Sequence, residues 1–126
     1  MGRMSRTKGA AYEREIANHF RDFYGRSECR RGIQTRSGGK EAADVLDAIP
    51  GCHLELKRVE RLNLSAAMTQ AVDDSQSQDL IPVVVSRKSR EESLVTIRLS
   101  DLEAVVRAVE LILLPSSGQS STKLTG

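Results

Sequence analysis

Two short runs, residues 43–49 and 52–58, flank the pair Pro50-Gly51, and each has the length of a strand. Proline presets the first dihedral of a tight turn and glycine tolerates the conformation that follows it. Within the second run the residues alternate: His53, Glu55 and Lys57 share one face, Leu54 and Leu56 the other. The leucines give the polar face an apolar backing. Such a pattern requires a sheet, and it brings Asp44 of the first run near Lys57, opposite or diagonal to it. A bulge would shift that register, so proximity is the expectation.

Asp44 is followed eleven positions later by Glu55-Leu56-Lys57. Two carboxylates supply the hard oxygens that Mg2+ prefers, and a neighbouring ammonium can orient an attacking water. This chemistry suits phosphodiester hydrolysis. Acid-x-lysine alone is common on exposed strands, where it is an ordinary surface ion pair, so the weight lies on Asp44, the turn and the features below.

The remaining elements follow from periodicity and punctuation. Tyr12, Ile16, Phe20 and Phe23 recur at helical spacing, predicting a helix over 8–24 that Gly25 stops. A first strand is expected over 28–35, then the loop Arg36-Ser37-Gly38-Gly39-Lys40, whose glycines allow close approach of backbone to a ligand. Ser65 is the expected cap of a second helix reaching 75, with Leu64, Ala67, Met68, Ala71 and Val72 on one side. Strands are expected over 81–86 and 94–99, with Val83-Val84-Val85 the buried centre. Ser100-Asp101-Leu102-Glu103 reads as a capping box before a third helix. The order is αβββαββα, an α/β domain with a mixed sheet covered by helices. Residues 1–115 are expected to form a single domain and 116–126, with little to bury, a disordered tail.

Charge divides unevenly. Residues 1–40 hold ten Lys/Arg against four Asp/Glu, a balance of +6, while 41–126 hold nine against thirteen, a balance of −4. The basic segment is the expected phosphate contact. Fourteen of the nineteen basic residues are Arg, whose planar fork grips a phosphate with two bonds. All four aromatic residues lie between Tyr12 and Tyr24, so the rest of the core must be aliphatic. Cys29 and Cys52 have no metal-binding spacing, and His19 has no partner at ligand spacing. Without a signal segment or a long apolar run, an intracellular, cytoplasmic protein is expected. His53 shares a face with Glu55 and Lys57, but a lone strand histidine is more often a surface residue.

Glu13 stands three residues before Ile16 and seven before Phe20, along the stripe that faces the sheet. A carboxylate there must be paired, hydrogen-bonded or metal-bound, or reach out to solvent. Arg14, beside it and off the stripe, can reach a phosphate.

Lys8-Gly9, Glu13-Arg14, Arg36-Ser37-x-Gly39, Asp44 and Glu55-x-Lys57 together resemble the archaeal-type Holliday junction resolvases and their phage relatives, within the PD-(D/E)xK nuclease superfamily. The resemblance runs from about residue 8 to 98. It implies a restriction-endonuclease-like fold and a Mg2+-dependent endonuclease, with Mn2+ able to substitute. On it, Glu13, Asp44, Glu55 and Lys57 are the catalytic residues, and the metal is bound by Asp44, Glu55, the carbonyl of Leu56, and Glu13. Expected nucleic-acid contacts are Lys8, Arg14, Arg30, Arg31, Arg36, Lys40, Arg58 and Gln70. The superfamily's proline before the aspartate is Ala43 here, a position that supplies no ligand. The resemblance also implies a homodimer on four-way DNA junctions. The apolar residues of the third helix, Val105, Val106, Val109, Leu111, Ile112, Leu113 and Leu114, exceed one buried stripe and are a candidate interface. Two other readings are a nuclease of the same fold acting on linear, flap or nonspecific duplex DNA, and a noncatalytic DNA-binding module.

Overall fold

The structure, a computed structural model, describes residues 2–32 and 44–113, with side chains from residue 8 onward. The elements are α1 (Gly2–Tyr24), β1 (Arg30–Arg31), β2 (Val45–Leu46), β3 (Cys52–Arg58), α2 (Leu64–Gln76), β4 (Ile81–Arg87), β5 (Leu94–Thr96) and α3 (Leu102–Leu113). This is the expected order. The strands form one sheet in the order β1-β2-β3-β4-β5. Neighbours are antiparallel except β3 and β4, which run parallel. A parallel pair needs a crossover, and α2 supplies it.

The two faces of β3 meet different helices. Leu54 and Leu56 join Val83 and Val85 of β4, and Tyr12, Ile16 and Ala17 of α1 pack on them with Cys29, Val45 and Ala48. On the opposite face Ala67 and Ala71 of α2 pack on Val84. Alanines let α2 sit close to the sheet. Val83, Val84 and Val85 are 1%, 0% and 5% exposed, which makes β4 the buried strand the sequence predicts. Truncating a side chain as enclosed as Leu54 to alanine costs about 2–5 kcal/mol. The Tyr12 hydroxyl also pairs with Ser93 Oγ at 2.7 Å, tying α1 to the loop before β5.

The Pro50-Gly51 turn forms as read. Cys52 N–H donates to the Ile49 carbonyl at 3.1 Å and Gly51 has φ +76°, a type II turn with proline and glycine in their preferred places. Gly25, at φ +68°, ends α1 as expected.

Several boundaries differ. The first helix begins at Gly2, not residue 8, since 2–7 lack the apolar stripe that periodicity detects. Of the expected strand 43–49, Ala43 lies outside the described residues and the strand covers Val45–Leu46, because Asp47 at φ +58° leaves the extended conformation. Likewise the expected strand 94–99 ends at Thr96. Asn63, not Ser65, caps α2, its side-chain oxygen accepting from Ala66 N–H at 3.0 Å. Nor does Ser100 cap α3, which is entered through one 3-10 turn at Leu99–Asp101 with Arg98 ion-paired to Asp101 at 2.8 Å. The loop Arg36–Lys40 and the tail 116–126 lie outside the described residues. No helix among the described residues is long and apolar enough to cross a membrane.

Candidate active site

Val45 pairs with Leu54, and Asp44, the residue just before it, is bonded to the same stretch of β3. Lys57 is near enough for its charge to act on the Asp44 carboxyl, which is the proximity the sequence predicts. Asp44 N–H donates to the Leu54 carbonyl at 3.1 Å, and Asp44 Oδ2 accepts from Leu56 N–H at 2.8 Å. The N–H and C=O of one strand residue point to the same side, so the Leu56 carbonyl also faces the edge that Asp44 occupies. Two carboxylates and a main-chain carbonyl therefore converge where β2 begins.

Glu55 is buried and its two oxygens face different neighbours. Oε2 lies 3.7 Å from Lys57 Nζ, and Oε1 lies 3.5 Å from His53 Nε2. Lys57 Nζ in turn donates to Gln70 Oε1 of α2 at 3.3 Å. Gln70, although exposed, is thus a positioning contact for the ammonium. His53 is fully buried, contrary to the surface location expected of it, because α2 covers that face of β3. Asp74 follows Gln70 by four residues, on the same side of α2. Its carboxylate, that of Glu55 and the His53 imidazole have donor atoms within 4.8 Å of one another.

Glu13 arrives from α1, its side chain mostly enclosed, and its Oε1 accepts from Arg31 Nε at 3.0 Å. The Asp44 carboxyl reports how close these groups are. Burial pushes its pKa from 3.8 up to about 6, and the negative charges of Glu55 and then Glu13 add to that; Leu56 N–H and Lys57 oppose it. Glu13, Asp44, Glu55 and Lys57 thus share one electrostatic site. Repulsion between its carboxylates is what a divalent cation relieves, so the donor set fits a hard metal.

The expected nucleic-acid contacts are placed unevenly. Lys8 is exposed and, with Gly9, Lys57, Arg58 and Glu60, lines a groove of about 360 Å³ beside the site. Arg14 is exposed on α1. Arg30 is held by Asp47 at 2.7 Å and Arg31 by Glu13, so both guanidiniums already have acidic partners. Arg58 pairs with Glu60 at 3.3 Å. Arg36 and Lys40 lie outside the described residues. The sequence reading did not single out Asp74; its spacing from Gln70 was the available signal.

Residues 4–113 match a protein family described as "Phage putative PDDEXK endonuclease". The chain belongs to that family. No curated protein and no solved structure matches it. Membership accords with the fold: a five-stranded mixed sheet between helices is consistent with a PD-(D/E)xK nuclease. It carries the phosphodiester-hydrolase reading, divalent-metal chemistry and DNA as the substrate class, and its description names no particular DNA structure.

Proposed function

We propose that this chain is a Mg2+-dependent endonuclease that resolves four-way DNA junctions by paired symmetric nicks, Mn2+ being able to replace Mg2+. The observation that carries the hydrolytic part is Asp44 bonded to Leu56 N–H between Glu55 and Lys57. Asp44, Glu55 and the Leu56 carbonyl would hold the cation, and Glu13 would bind it directly, through water or at a second ion. The cation supplies a more acidic bound water and neutralises charge on the phosphate. Lys57 orients the nucleophilic water and stabilises charge as the phosphodiester opens. Gln70 keeps the Lys57 ammonium in line. Lys8, beside the same groove, draws in the DNA backbone together with Arg14, Arg30, Arg31, Arg36, Lys40 and Arg58.

Two features support a junction substrate: the resemblance to junction resolvases, and an apolar ridge suited to a homodimer. Val105 and Ala108 of α3 are buried, while Val106, Leu111 and Leu113 on the rest of that helix are exposed, as is Leu99 just before it. A C2 dimer through this ridge would supply two symmetric cuts, because one surface pairs with itself. A noncatalytic DNA-binding module is disfavoured, since grouped carboxylates repel phosphates unless a cation intervenes.

The deciding experiment incubates labelled four-way junction, linear duplex and flap substrates with Mg2+ and with chelator. Paired symmetric nicks in the junction alone are expected. Equal cutting of linear or flap DNA would replace the junction reading with a nuclease of broader substrate, and binding without cutting would leave a DNA-binding module.

A further inference from the structure

We propose that His53, Glu55 and Asp74 form a second divalent-cation site, selective for Zn2+ over Mg2+, recessed between β3 and α2. The catalytic reading uses neither His53 nor Asp74. His53 is 0% exposed, and its Nδ1 finds no hydrogen-bond partner among the described residues. Its Nε2 reaches Glu55 Oε1 only at 3.5 Å, beyond an ordinary hydrogen bond. With no close partner at Nε2, the ring nitrogen that faces Glu55 has a lone pair available to a cation.

The surroundings point to a cation. His53 and Glu55 lie two residues apart on one face of β3, and Asp74 comes down from α2 to complete a set whose donor atoms fall within 4.8 Å of one another. Ligands bonded to Zn2+ at about 2.0–2.2 Å stand roughly 3.4 Å apart in a tetrahedron, so small side-chain rotations close the set. One imidazole with two carboxylates, and a fourth position for water, suits Zn2+. Mg2+ prefers an octahedral shell of oxygens and retains its waters, which a recess walled by a buried histidine does not favour.

Glu55 couples this site to the catalytic one. Its Oε1 faces His53 while Oε2 faces Lys57, so an ion held through Oε1 restrains the carboxylate that Mg2+ also needs. Zn2+ is therefore an attenuator of cleavage. This last consequence rests on the proposed nuclease function; the binding site does not.

The test is calorimetric titration of ZnCl2, and separately MgCl2, into the metal-stripped full chain, with circular dichroism to verify folding. The wild type is expected to bind one Zn2+ at this site at least about 100-fold more tightly than Mg2+. Asp74→Asn and His53→Gln are expected to weaken Zn2+ at least about tenfold, whereas Asp44→Asn leaves it within about threefold. Unchanged Zn2+ affinity in Asp74→Asn, or a loss in Asp44→Asn as large as in Asp74→Asn, would overturn the proposal. Asp74 is partly exposed on α2, so its variant remains informative if His53→Gln does not fold. Should the wild type cut no DNA, the nuclease reading fails while the Zn2+ titrations still decide this one.

Discussion

Asp44 Oδ2 accepts the Leu56 N–H at 2.8 Å, which ties the carboxylate just before β2 to the residue between Glu55 and Lys57 on β3. One hydrogen bond therefore sets the spacing of three side chains. Exchanging Asp44 for asparagine keeps an acceptor for Leu56 and removes the charge. Asp44→Asn is expected to bind DNA with wild-type affinity and to lose about 100-fold or more in cleavage rate, the scale of losing one well-placed electrostatic group. Gel-shift and single-turnover measurements on one preparation check both halves. Lys57→Ala is expected to behave alike, and full activity in either variant would remove the site assignment.

Removing the charge of Asp44 should also change stability with pH. Its carboxyl titrates at about 6 in the folded protein against an ordinary 3.8, because burial and then Glu55 disfavour the charged form. Between those values the folded chain holds a proton that the unfolded chain has lost. The stabilisation is fully present below about pH 4 and is lost as pH rises to about 6, amounting to roughly 2–3 kcal/mol at most. Metal-stripped Asp44→Asn should thus be more stable than wild type at pH 7, with the gap closing towards pH 4. Urea unfolding at both pH values measures it, and Mg2+ should narrow the gap at pH 7. A gap independent of pH would contradict the buried-carboxylate account.

Gln70 holds the Lys57 ammonium from across the α2 interface. Gln70→Ala is predicted to slow cleavage roughly two- to tenfold, the equivalent of one modest hydrogen bond, without weakening DNA binding. Loss of binding with an unchanged rate would instead make Gln70 a DNA contact.

The exposed apolar residues of α3 and of the turn before it give a prediction about assembly. Leu99 is 84% exposed, so Leu99→Glu should leave the monomer folded while destroying an apolar contact between copies. Sedimentation is expected to show a wild-type dimer at micromolar concentration and a monomeric variant. A wild-type monomer that still nicks junctions symmetrically would end the dimer reading.

Capping offers a check on α2, the element that carries Gln70 and Asp74. Asn63→Ala should cost about 1 kcal/mol by removing the acceptor for Ala66 N–H, whereas Ser65→Ala should be nearly neutral. Thermal melts distinguish the two.

The legible parts of this chain were those encoded by short-range pattern. Alternation through Cys52–Arg58 placed β3 and its charged face correctly, and helical spacing put Glu13 towards the sheet. Competition among neighbouring groups was harder to read. Asn63 and Ser65 are both able caps, and Asn63 is the one in place. At Asp101 an ion pair with Arg98 and a backbone bond to its carbonyl stabilise a 3-10 turn where a capping box was expected. His53 illustrates a different limit: alternation tells which face a residue is on, not what covers that face. Its burial depends on α2 packing over β3, a tertiary fact.

Glu13, Asp44, Glu55 and Lys57 all lie in the first half of the chain, yet their scaffold does not. From Cys52 to Arg58, β3 is paired residue for residue with β4, which begins only at Ile81, and α1 is tied to Ser93. A fragment ending at residue 80 would contain every proposed catalytic group and lack the strand that holds two of them straight. The four groups are therefore expected to come into register during synthesis only after the later strands have emerged, so that a chain still lacking β4 is expected not to cut DNA.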